Sequence, residues 1–173
     1  MALSTITTAS SLGGSLITSG TAVASTSGTS IDFTSIPSWV KRVTVMFSGV
    51  STNGTSIVQV QIGAGSVTTS GYTSYTAYAG GTTAGSNIIS TGCAFDAGSP
   101  NAGVIRYGTM VLSLVSSNNW IFSLTSGLLN TGTAYSITGG GGIALGGTLD
   151  RVRITTVNGT DTFDAGSINI LYE

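Results

Sequence analysis

The sequence predicts an all-β protein: an antiparallel β-sandwich of jelly-roll type with an extended N-terminal arm. Three observations carry that expectation. Apolar residues fall at every second position in several short runs, the period of a strand with one buried face. Asn-Gly, Asn-Asn and Gly-rich turn signals separate these runs. No window of a dozen residues combines helical spacing with helix-forming composition, and the abundant Gly, Ser and Thr oppose helix by propensity. Many short strands in one 173-residue chain suit two sheets packed face to face. A barrel is the nearest alternative, and no fixed-period repeat supports a β-helix.

Residues 1–29 are mostly Ser, Thr, Ala and Gly with isolated Leu, Ile and Val, and contain neither an aromatic residue nor a charge. Such a segment has few large side chains to offset its ordering entropy, so it reads as an attachment arm that orders against a partner. The folded domain is expected over 30–173, where IDFTSIPSWVKRVTVMFSGV brings the first aromatic residues and charges. Val43, Val45 and Phe47 alternate with Thr44 and Met46, after a turn at Pro37. Val58, Val60 and Ile62 alternate with Gln59 and Gln61, and the intervening Asn53-Gly54 predicts a hairpin between the two runs.

Met110, Leu112 and Leu114, a turn at Asn118-Asn119, and the returning Trp120, Phe122 and Leu124 form the clearest hairpin in the chain. The C-terminal part offers the strand RVRITTV, a turn at Asn158-Gly159, and a core strand with Ile168, Ile170 and Tyr172 on one face. The glycine-rich stretches AYAGGTTAGSN and SITGGGGIALGGTLD match no phosphate loop or dinucleotide fingerprint. They read as loops or as sites of close backbone approach.

Charged residues make up 6% of the chain against roughly 25% in an ordinary soluble domain. With a net charge of -1, little long-range repulsion keeps copies apart, and self-association is the expected state. Five basic residues do not suit binding to a phosphate backbone, so nucleic acid is not an expected partner. No run of about 18 apolar residues suggests membrane insertion, and the N-terminus lacks the basic and apolar regions of a secretory signal. Synthesis in a cytoplasm is expected. The single cysteine, Cys93, reads as a small buried thiol.

Catalytic chemistry has little to draw on. The chain has no histidine, which removes Ser-His-Asp and Cys-His arrangements, and no metal or cofactor is expected. A glycosidase-like carboxylate pair could come only from Asp96, Asp150, Asp161 and Asp164. Asp161 and Asp164 read first as turn acceptors, with a calcium ion between them as the alternative. No catalytic residue is assigned. Tyr72, Tyr75 and Tyr78 are the candidate glycan or receptor contacts, because aromatic faces stack on sugar rings. Asp150, Arg151 and Arg153 are candidates for intersubunit or partner ion pairs, or else for a solvated strand face.

Two blocks, IDFTSIPSWVKRVTVMFSGVSTNGTS and LDRVRITTVNGTDTFDAGSINILYE, bracket the domain. They resemble a module of bacteriophage virion proteins, among them tail-fibre-like and head-fibre-like proteins. The resemblance is close in these blocks and loose between them. It implies a virion structural protein made in the bacterial host cytoplasm and preferring a homotrimer. It further implies that residues 1–29 engage other virion proteins, and the looser middle suits exposed loops adapted to different targets, with host surface carbohydrate the expected contact of the tyrosines there. A cementing or tail-assembly protein without receptor contact is the closest alternative, and a capsule-degrading enzyme is a third.

Overall fold

A computed structural model of the chain describes residues 17–98 and 100–173. The first sixteen residues of the expected arm therefore lie outside the described residues. Two short strands, β1 (Thr18–Ser19) and β2 (Val23–Ala24), precede β3 (Ser30–Thr34) and the long β4 (Arg42–Thr52). Next come β5 (Val58–Ala64), β6 (Ser66–Val67), β7 (Thr73–Gly80), β8 (Thr83–Ile89) and β9 (Cys93–Ala94). Three long strands follow: β10 (Ile105–Ser116), β11 (Asn119–Asn130) and β12 (Thr133–Ala144). The chain closes with β13 (Arg151–Thr156) and β14 (Phe163–Tyr172). All pairings are antiparallel, and no helix occurs among the described residues.

The strands form two sheets packed as a sandwich. The nine-stranded sheet runs β1-β14-β4-β10-β11-β12-β7-β8, with β2 also on β14; the five-stranded sheet runs β3-β13-β5-β6, with β9 also on β5. Alternation in the sequence sets which face is buried. Met110 pairs with Leu124, Leu112 with Phe122 and Leu114 with Trp120 across the β10–β11 hairpin. Together with Val43, Val45, Ile168 and Ile170 they face Val60, Ile62, Val152 and Ile154 of the smaller sheet in one core. Burying each such side chain contributes about 1.5–3 kcal/mol, so the apolar period explains both the strand faces and the packing.

The hairpin expected at Asn53-Gly54 does not form. Strand β4 is flanked on both sides by β10 and β14, so no hydrogen-bonding edge remains for β5. The chain instead crosses to the smaller sheet, where β5 pairs with β13. The Asn158-Gly159 turn makes the reverse crossing between β13 and β14, and the two corners interlock. Asn53 N–H donates to Thr162 O (2.9 Å) and its Oδ1 accepts from Thr162 N–H (2.8 Å). Asp161 accepts from Ser56 N–H (2.9 Å) and from Asn158 Nδ2 (2.6 Å). Gly54 is required here because a Cβ would collide with the Asp161 carboxylate.

The second glycine-rich stretch divides: residues 139–142 lie inside β12, and Gly146 and Gly147 lie in the loop before β13. Gly141 sits between β11 and β7, where a Cβ would meet Thr73 O and the Phe122 ring. Close backbone approach, the other sequence expectation for this stretch, accounts for that position. Residues 17–25 lie along β14: Gly20 N–H reaches Ile170 O (2.8 Å), and Ser25, fully buried, donates its hydroxyl to Ala165 O (2.7 Å).

Candidate functional site

Between the sheets runs a strap, residues 93–98, in which the sequence singles out a buried cysteine and a candidate acid, Asp96, but no structural role. Phe95 N–H bonds Val58 O (2.8 Å), Ala94 N–H bonds Ser74 Oγ (2.9 Å) and Thr76 Oγ1 donates to Asp96 O (3.0 Å). The Phe95 ring stacks on Phe47 with centroids 3.7 Å apart. The strap thus ties the outer strands of the large sheet to the small one. Cys93 is fully buried, and burial pushes its thiol well above the ordinary range.

Asp96 and Arg106 make an ion pair of 2.8 Å with no exposure of either side chain. Asp96 Oδ2 also accepts from Val58 N–H (3.0 Å), and Arg106 Nη1 donates to Val104 O (3.0 Å). Arg106 Nη2 has no hydrogen-bond partner among the described residues. Asp96 therefore serves as a joint between strap, β5 and β10, with its carboxylate enclosed. Sequence reasoning placed it only among the candidate acids; the partner, ten positions away, gave no local signal.

The three candidate tyrosines separate. Tyr72 is buried, its Oη accepting from Ile62 N–H (2.8 Å) and facing Thr68 O at 3.0 Å. Burial pushes this phenol far above its usual pKa, against the opposing effect of the Ile62 hydrogen bond. Tyr78 lies on the inner face of β7 in an edge contact with Tyr135. With Leu128, Ile137, Val104 and Asn130 they line an open cleft of about 370 Å³ at the end of the sandwich. Tyr75 alone projects outward, 52% exposed beside Ile88, its cross-strand partner on β8.

The candidate charges form pairs within the chain. Arg151 Nε donates to Asp150 Oδ1 and Arg153 Nε to Asp32 Oδ1, each at 2.7 Å. The Arg151 hydrogen bond, helped by Gly65 N–H, holds the Asp150 carboxyl below the usual carboxylate range despite partial desolvation. These pairs lie on β13 and its neighbours in the smaller sheet. Asp161 is committed to the interlocked corners, and Asp164 is exposed at the start of β14. Among the described residues no group of three or more His, Cys, Asp or Glu side chains could hold a metal ion.

No family model, curated protein or solved structure matches the chain.

Charge is distributed lopsidedly over the fold. Between Arg42 and Asp150 only Asp96 and Arg106 are charged, and both are fully buried. Strands β7, β8, β10, β11 and β12 consequently present a sheet face of Ser, Thr, Ala and Gly with no ionic group. Tyr107, Val115, Ile121, Leu129, Tyr75 and Ile88 project from these strands at 46–75% exposure.

The end blocks make the opposite half. Trp39 packs against Tyr172 with ring centroids 5.9 Å apart, and Arg42 forms a 2.9 Å ion pair with Glu173. Ile36 N–H reaches Asp150 O (3.0 Å). The two blocks, distant in sequence, are neighbours in space.

Proposed function

We propose that the protein is a structural assembly module that docks with copies of itself and with other surfaces, and does not turn over a substrate. The observation that carries this reading is the absence of any solvent-reaching charge between Arg42 and Asp150. Charged groups keep surfaces hydrated and apart, and their depletion marks the centres of protein interfaces. A broad sheet face of hydroxyls and small side chains can be desolvated at little ionic cost. The enclosure of Asp96 and the commitment of Asp161 to hydrogen bonds from Ser56 N–H and Asn158 Nδ2 support the non-enzymatic reading.

The setting proposed for this module is a phage virion, as a fibre, decoration or tail-tip component and preferably a homotrimer. That part rests on the resemblance of the two end blocks, and their joining into one half of the molecule suits a constant frame that carries a different middle. Host carbohydrate is a further proposed partner. Of the three tyrosines named for it, Tyr75 on the outer face and Tyr78 in the cleft remain accessible in kind, whereas the burial of Tyr72 favours the purely structural alternative.

The mass of the full chain at micromolar concentration, by light scattering or sedimentation equilibrium, tests the central reading. An oligomer, with a trimer or a multiple of it preferred, is the expected result. A clean monomer would sink the proposal. Release of reducing ends from host polysaccharide, abolished by Asp164→Asn, would replace it with the enzymatic alternative.

A further inference from the structure

Every sheet must end somewhere, and an unpaired edge is a template for another strand unless it is blunted. Three of the four edges here are blunted. Among the described residues the large sheet carries beyond β14 only β1 and β2, two residues each. In the small sheet β6 is also two residues long, and β3 carries Asp32 in its ion pair with Arg153. The fourth edge, β8, is different. It runs seven residues, TAGSNII, without charge, proline or recorded register shift, and Ile88 is 75% exposed upon it.

The geometry fixes which groups this edge offers. Strands β7 and β8 are joined by Gly81 and Thr82 alone, with Gly80 opposite Thr83. In such a two-residue hairpin the closing pair is hydrogen-bonded and the bonding alternates along the ladder. Thr83, Gly85, Asn87 and Ile89 therefore face β7. Ala84, Ser86 and Ile88, all exposed, turn their N–H and C=O groups away from β7, where no strand pairs with them among the described residues. Asn87 holds the strand in place, since its Oδ1 accepts from Gly98 N–H on the strap.

We infer that β8 pairs antiparallel with β8 of a second copy of this chain, about a two-fold axis at Ser86. The occupant is argued from the sequence of the edge itself. Around Ser86 the strand is self-complementary in size: Ile88 would stand opposite Ala84 of the second copy, Asn87 opposite Gly85 and Ile89 opposite Thr83. Large residues meet small ones at every step, and Ser86 meets itself. On the outer face the exposed Tyr75 and Ile88 would continue into Ala84 and Ala79 of the second copy, because these residues already share rows across β7 and β8. No like charges oppose one another, and each outward pair would exchange both backbone hydrogen bonds.

This inference rests on the self-assembly reading but constrains it further, because a closed two-fold contact pairs off every subunit and the copy number becomes even. A trimer joined through β8 would be a hexamer.

The experiment uses the full chain and two single variants, Ser86→Pro and Ile88→Lys. Proline at an edge position whose N–H points outward leaves the β7 hydrogen bonds intact. Light scattering should give an even oligomer for the unaltered protein and a drop in mass of about twofold for each variant, with an unchanged circular-dichroism spectrum. Ile88→Lys keeps the result readable if Ser86→Pro misfolds. Ser86→Cys should cross-link two copies under mild oxidation, the native thiol being buried. An odd oligomer whose mass neither folded variant changes would overturn the β8 contact and leave the proposed function standing. A monomer would overturn both.

Discussion

The interior strap and the outer face of the small sheet use the same chemical pair in opposite ways. Asp96–Arg106 and Asp32–Arg153 have nearly equal contact distances, 2.8 and 2.7 Å. The first is fully buried, whereas the side chains of the second are 38% and 34% exposed. Distance therefore says little about consequence. In the interior each charge has lost its hydration and depends on its partner, so the pair acts as a joint between elements. On the small sheet water screens both groups, and the pair mainly keeps that face hydrated. The part of the large sheet formed by β7, β8, β10, β11 and β12 carries no exposed ion pair, unlike its other side, where Arg42 pairs with Glu173, and the proposed docking role rests on that contrast.

Breaking the buried pair is the harshest test of that contrast. Arg106→Met should cost about 3–5 kcal/mol in urea denaturation, because it leaves the Asp96 carboxylate enclosed without a counter-charge. The double variant Asp96→Asn/Arg106→Met should recover most of the loss, since the amide oxygen can still accept from Val58 N–H. If the double variant were no better than the single one, the pair would be holding the strap by geometry rather than by charge.

Tyr72 supplies an intermediate case, a buried neutral polar group. Tyr72→Phe removes the acceptor for Ile62 N–H and should cost about 1–3 kcal/mol. The same residue gives the protein an alkaline limit. Its phenol and the Cys93 thiol both have folded-state pKa values raised by burial, so the unfolded chain gives up these protons first. Stability is then complete below the unfolded values, about 8.5 for the thiol and about 10 for the phenol, and falls as pH rises through and beyond them. Thermal melts across that range should show the decline, and it should be shallower in Cys93→Ala.

Much of the fold was legible because alternation depends on neighbouring residues. Met110 through Leu124 announced both the hairpin and its inward face, and the structure pairs them in register. The Asn53-Gly54 crossing was not legible, since a turn signal reports that the chain bends and not which sheet it joins. Gln59 and Gln61 read as a solvent face yet are buried, because Thr91 O and the Thr91 hydroxyl cover them from a distant loop. The strap failed for the same reason: its role depends on Val58, Ser74, Thr76 and Arg106, none adjacent in sequence. That Arg151 and Arg153 lie two positions apart, on one strand face, was legible, but the Asp32 partner of Arg153 required knowing that β3 lies beside β13.

The smallest expected effect sharpens the comparison most. Arg153→Ala should change stability by only about 0.2–1 kcal/mol, and the difference should shrink further at high salt. On the neighbouring pair, Asp150 has a lowered folded-state pKa, so its contribution is present above the unfolded value of about 4 and is lost as pH falls through the folded one. Arg151→Ala should weaken that acid-side dependence, and the small loss of stability it causes at neutral pH should vanish in acid. Both results follow if this face stays in water. Should Arg153→Ala instead weaken the oligomer while barely affecting the fold of the dissociated chain, the small-sheet face would be desolvated on assembly. The ion pairs would then belong to an interface, and the proposed division between a hydrated face and a docking face would have to be redrawn.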